Sequence, residues 1–113
     1  MREKRRFISF NVALETAYIV QKDPKIEKIG VTRDVSARGM QLLTNDKLEP
    51  GNEIYLKISV PKALNPAHIK GVVVWSREQD TAGNYPYSAG IDFKKIEEDN
   101  KNIFLRFLCS LMY

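Results

Sequence analysis

The chain has 113 residues, 43% of them hydrophobic and 28% charged, and 18 basic against 14 acidic side chains leave a net charge of +4. That length suits one domain with an adequate core and leaves no room for a separate catalytic domain. No apolar stretch reaches the roughly 18 residues of a membrane span, and one cysteine, Cys109, excludes an internal disulfide or a cysteine-rich metal site.

The chain opens on a basic arm, with Arg2, Lys4, Arg5 and Arg6 against Glu3. Such an arm reads either as a solvated tail or as an anion-binding segment. The run after it is broken by Ser9, Asn11 and Glu15, which is unlike a signal peptide and points to the cytoplasm. A period of two then dominates to about residue 94. Phe10, Val12 and Leu14 alternate with Asn11, Ala13 and Glu15, and the run continues through Ala17 and Ile19 as a first strand. Lys22-Asp23-Pro24-Lys25 is a turn. Ile26 to Val35 reads as a second strand, with Ile29, Val31 and Arg33 on one face. Gly39 breaks the pattern and Met40 to Leu43 forms a third. After the loop ending in Pro50-Gly51, Ile54, Leu56, Ile58 and Val60 alternate with Tyr55, Lys57 and Ser59 as a fourth. Pro61 to Pro66 is a loop, Ile69 to Trp75 a fifth strand, Asp80 to Pro86 a turn, and Tyr87 to Phe93 a sixth.

Six short strands at these intervals predict an all-β barrel or sandwich. Alternation assigns its core to Val12, Leu14, Ile29, Val31, Leu42, Ile54, Leu56, Ile58, Val72, Val74, Ile91 and Phe93. The period then changes. Ile103, Phe104, Phe107, Leu108 and Leu111 fall at helical spacing, and Glu97, Glu98 and Asp99 suit the positive end of a helix dipole. The expected organisation is one domain, 1–113, with a flexible arm over 1–9, a barrel over 10–94 and a helix over 97–112. A second apolar stripe, Leu105, Cys109 and Met112, predicts a homodimer or a partner on the helix.

No catalytic pattern stands out, so an enzyme is not expected. His68 is the only histidine and has no Cys or His near it in sequence to complete a metal site. Cys109 reads as a packed thiol. No Gly-x-Ser-x-Gly, Walker loop or dinucleotide fingerprint is present. Tyr18, Tyr55, Tyr85 and Tyr87 do not interleave with basic residues as a stacking platform, which argues against a nucleic-acid polymer.

The informative segment is Asp34-Val35-Ser36-Ala37-Arg38-Gly39, between two strands. Asp and Ser favour turns by bonding nearby backbone amides, and Gly supplies a conformation that other residues resist. Taken alone it is an ordinary turn. Its context is Glu3-Lys4-Arg5-Arg6-Phe7 before the first strand, Gly71-Val72-Val73-Val74-Trp75 downstream, and then Ser88-Ala89-Gly90-Ile91-Asp92-Phe93. In that order the chain resembles the PilZ domain family along nearly its whole length, with the Asp-x-Ser-x-x-Gly motif complete.

The resemblance implies a six-stranded antiparallel PilZ-like β-barrel with one C-terminal α-helix, and a receptor for cyclic di-GMP, with no metal or further cofactor. The arginine-rich arm would fold over that ligand, with Arg5 and Arg6 on phosphate or guanine. Asp34 and Ser36 would hold one guanine, and Gly39 and Gly90 would permit close approach. Arginine forks suit phosphate oxygens and guanine O6 and N7, and a carboxylate suits the guanine N1 and N2 donors. The chain departs from the family's Arg-x-x-x-Arg at one place: counted from Arg5, position 9 is Ser9. Counted from Arg2, the spacing to Arg6 is intact, which makes Arg2 a candidate substitute. The function implied is an effector that orders its arm on binding and signals through a protein partner. The alternative is a degenerate adaptor that binds no nucleotide.

Overall fold

The structure, a computed structural model, describes residues 8–79 and 84–112. Seven strands precede one helix: β1 (Phe10–Asn11), β2 (Glu15–Val20), β3 (Lys28–Val35), β4 (Gly39–Thr44), β5 (Glu53–Ile58), β6 (Ala67–Glu78), β7 (Tyr87–Ile96) and α1 (Glu98–Ser110). All pairings are antiparallel. β3 pairs with both β2 and β4, β4 with β7, β7 with β6, β6 with β5, and β5 returns to β2, so six strands close into a barrel. Closure leaves no long open sheet edge. β1 is the extra strand and continues along the edge of β3 beyond β2, pairing Phe10 with Val35 and Asn11 with Asp34.

The clearest alternation in the sequence lies where the structure is most regular. Ile54, Leu56 and Ile58 of β5 are buried to 0–1% exposure, and Tyr55 and Lys57 between them face outward. They meet Leu14, Tyr18, Val35, Leu42, Ile69, Val73, Ala89 and Ile91 inside the barrel. α1 closes the core with Phe104 and Leu108. Phe104 packs edge-on against the half-buried Phe93, ring centroids 5.9 Å apart.

Three sequence expectations change. The first strand is two. Between β1 and β2 the regular ladder lapses, although Val12 N–H still donates to the Arg33 carbonyl at 3.1 Å and Thr32 N–H to the Leu14 carbonyl at 3.0 Å. The Thr32 hydroxyl completes the join by accepting from Leu14 N–H at 2.8 Å and donating to the Val12 carbonyl at 2.6 Å. Thr16 and Tyr18 of β2 face inward and Val12 is only half-buried. Second, Ile29 stands 47% exposed and Val31 half-exposed, because Gly30 and Thr32 take the inward positions of β3. A Cβ on Gly30 would lie 2.5 Å from the Leu43 carbonyl oxygen, so that inward place fits glycine alone. Third, Val73 takes the core place assigned to Val72 and Val74, and Val74 is 48% exposed.

The helix begins one residue later and ends two earlier than the periodicity predicts. No helix among the described residues is long and apolar enough to cross a membrane.

Candidate ligand-binding face

The Asp-x-Ser-x-x-Gly segment is the hairpin turn between β3 and β4. The Ser36 hydroxyl accepts from the amides of Arg38 at 3.1 Å and Gly39 at 3.2 Å and donates to the Gly39 carbonyl at 3.2 Å. Ser36 N–H donates to the same carbonyl at 2.9 Å. One donor and two acceptor positions are all a hydroxyl has. Ser36 is therefore committed to closing the turn, and reaches a ligand only by giving up a bond within it. Gly39 is required for space: its φ is not in the left-handed region, but a Cβ there would lie 2.4 Å from the Ile91 carbonyl oxygen of β7.

Asp34 stands one turn edge away, half-exposed on the outer surface of the barrel. A β-bulge puts it there. Register shifts between Thr32 and Asp34, so Arg33 is the extra residue and Asp34 turns outward opposite Gln41. Following the ladder sideways gives one outward row: Asn11, Asp34, Gln41, Gly90, Trp75. Partners in an antiparallel ladder share a face, so these residues from five strands form a single strip. Gly39, Asp92 and Val72 make the next outward row.

The indole of Trp75 lies over Gly90, where an added Cβ would come within 2.2 Å of its Nε1. The space that Gly90 leaves open is thus filled by this ring. The Arg77 guanidinium sits 4.5 Å from the ring centroid, a cation stacked on an aromatic face. Arg33, in the bulge, and Arg38, in the turn, are also exposed.

Trp75 is not among the residues expected at the site from sequence; in the structure Ile69 and Val73 face inward, and unbroken alternation from them would send residue 75 inward too. A second bulge, between Val73 and Trp75, reverses the phase.

Arg2, Arg5 and Arg6 lie outside the described residues. The chain enters beside the site nonetheless. Ile8 and Phe10 line a hollow of about 350 Å³ with Ala37 and the Leu105, Leu108, Cys109 and Met112 side chains of α1. Asn11, the next residue of β1, pairs with Asp34 on the strip side. The second stripe of α1 turns toward this same hollow: Leu105 is half-buried there, and Cys109 and Met112 remain exposed. No group of three or more His, Cys, Asp or Glu that could hold a metal ion occurs among the described residues.

The barrel, the helix and the motif turn coincide with a family match. Residues 2–109 match the PilZ domain. The chain belongs to the PilZ domain family. Domains of this family act as receptors and adaptors rather than as enzymes. No curated protein sequence matches the chain. Among solved structures, this PilZ domain is similar to the Bacillus subtilis inhibitor of motility MotI, with a TM-score of 0.77 and 14% identity over 98% of this chain and 52% of that one. It is similar to the PilZ domain of Escherichia coli YcgR with cyclic di-GMP, with a TM-score of 0.74 and 12% identity over 97% and 92%. A Klebsiella pneumoniae MrkH–cyclic di-GMP complex gives a TM-score of 0.67 and 14% identity over 98% and 53%. The PilZ domain thus spans about half the length of MotI and MrkH.

Proposed function

We propose that this chain is a cyclic di-GMP-binding effector domain acting in the cytoplasm through a protein partner. The observation that carries the reading is the outward strip, in which Asn11, the motif carboxylate Asp34 and the Trp75–Arg77 stack share one face. In this reading Asp34 accepts from guanine N1 and N2. Trp75 and Arg77 offer a flat surface for a base, and Arg5 and Arg6, with Arg2 as substitute for the absent arginine, fork onto phosphate or guanine. Ser36, Gly39 and Gly90 shape the turn and the strand that carry these groups. The arm (1–9) becomes ordered as it closes over the ligand on a barrel spanning 10–94, and the surface shown to the partner changes with it.

The test is calorimetric titration of the purified chain with cyclic di-GMP, with GTP as control. Trp75 is the only tryptophan, so its fluorescence should report occupancy in parallel. Asp34→Ala should abolish binding and leave the melting temperature unchanged. Ser9→Arg should tighten binding by about tenfold or more if the arm aligns from Arg5, since a charge-assisted hydrogen bond contributes roughly 1.5–3 kcal/mol. It should change little if Arg2 and Arg6 form the pair. Ser9 itself favours a second reading, an adaptor that works through protein contacts alone. Absence of binding heat at high micromolar nucleotide would establish the adaptor in place of the receptor.

A further inference from the structure

α1 is a ridge between two hollows, and the one away from the arm has no role in the reading above. It measures about 530 Å³ and lies between the β5–β6 loop and the helix, lined by Val60, Pro61, Lys62, Ala63, Ile103, Arg106, Phe107 and Ser110. Its floor is apolar: Val60 is buried, and Ala63 and Phe107 are half-buried. Its two charged residues, Lys62 and Arg106, are both cations and both exposed, and neither forms an ion pair among the described residues. Leu64, two positions beyond Lys62, is 99% exposed.

The backbone singles out Lys62. Ala63 N–H donates to the Val60 carbonyl at 3.1 Å, which closes a four-residue turn with Pro61 and Lys62 in its centre. Lys62 has φ 71°, the one left-handed non-glycine residue among those described. Proline followed by a left-handed residue is the order of a type II turn, whose third position favours glycine or asparagine. Lysine there costs conformational energy that glycine would not. The turn is solvent-exposed, so packing does not explain the choice, and an observed backbone outlier of this kind motivates a functional reading of the side chain.

We propose that this hollow is a docking site for a segment of a partner protein, an apolar side chain flanked by carboxylates. The apolar residue enters between Phe107, Ala63 and Val60, and the carboxylates meet Lys62 and Arg106 at the rim. Charge complementarity selects this occupant, because an apolar floor under a rim of two cations, with no ion pair among the described residues, favours an anionic, apolar-tipped guest. A concave floor with the cations at its rim fits one inserted side chain better than the flat face of a bilayer.

The experiment selects peptides from a random display library on the full chain, without nucleotide, and measures synthetic copies by calorimetry. The enriched sequences should pair Leu, Phe, Met or Trp with nearby Asp or Glu. Their affinity should fall at least about tenfold with Lys62→Gly and with Arg106→Glu, the size of one lost charge-assisted contact. Lys62→Gly should leave the melting temperature unchanged or higher, because it relieves the turn, so lost binding with retained stability separates recognition from folding. The Lys62→Glu/Arg106→Glu double variant should select basic peptides instead. Peptides that lack acidic residues, or that bind both single variants as well as the wild type, would overturn the proposal. So would an outcome in which only vesicles of phosphatidylglycerol and phosphatidylethanolamine bind, lost in the double variant while no peptide is selected.

Discussion

Two buried side chains with polar groups show how single residues hold the barrel together. Thr32 is 1% exposed, yet its hydroxyl satisfies a donor and an acceptor where β1 gives way to β2. Thr32→Val keeps the shape and orphans both backbone groups. It should destabilise the fold by about 1–3 kcal/mol, read as a lower urea midpoint at unchanged m value, and Thr32→Ser should recover most of the loss. Tyr18 is 2% exposed, and burial first, with the Asp46 carboxylate and Tyr85 adding to it, pushes its phenol from 10.0 up to about 12. Between those values the unfolded tyrosine has lost its proton and the folded one keeps it. Stability from this residue is therefore complete below pH 10 and is lost as pH rises toward 12. The loss is on the order of 2 kcal/mol. Urea unfolding from pH 8 to pH 11.5 should show this decline in the wild type and a flatter profile in Tyr18→Phe. Neither role is legible in the sequence, because a threonine and a tyrosine inside an alternating run read as outward or indifferent until the strand's phase is known.

At the scale of elements, phase decides what can be read. β5 follows its alternation without interruption, and its inward face was predictable residue by residue. β3 and β6 each carry one extra residue, Arg33 and Val74, and each bulge reverses the faces beyond it. The core misassignments at Ile29, Val31, Val72 and Val74 come from the choice of phase, and Trp75 reaches the motif's face only through the bulge that precedes it. Propensity does not mark a bulge here, since Arg and Val are ordinary strand residues. The motif's position was legible because turns announce themselves by residue type. The reason for its glycine was not, since the demand comes from β7, which is distant in sequence. This contrast makes a prediction across β4 and β7. Gly39→Ala meets the Ile91 carbonyl oxygen at 2.4 Å, a backbone atom that cannot step aside, and should cost about 1–3 kcal/mol by shifting the β4–β7 pairing. Gly90→Ala meets the Trp75 indole first, a side chain that can rotate. Its unfolding midpoint should change less, while tryptophan emission shifts as the ring leaves Arg77.

At the scale of the whole molecule, the entering chain touches both the proposed ligand face and the helix. Asn11 pairs with Asp34 on one side, and Ile8 and Phe10 line the hollow against Leu105, Cys109 and Met112 on the other. A segment shared in this way couples the two surfaces, because the arm cannot close over a ligand without tightening the residues that follow it. Cys109 is the single cysteine and is exposed in that hollow, so it is a built-in probe. If cyclic di-GMP draws the arm across Asp34, reaction of Cys109 with a thiol reagent should slow on adding nucleotide. Phe10→Ala should keep the binding heat but lose the protection, since the anchor and not the ligand face has been removed. The homodimer expected from the same helix stripe makes a different signature. A second copy on Cys109 and Met112 would protect the thiol without nucleotide, more strongly as protein concentration rises, and light scattering would show doubled mass. A stable interface of that kind needs about 800 Å² from each copy, and Leu105 is already half-buried within its own chain. Protection that follows nucleotide and ignores protein concentration would assign the stripe to the chain's own N-terminal segment and leave the opposite hollow, with Lys62 and Arg106, as the surface free for a partner.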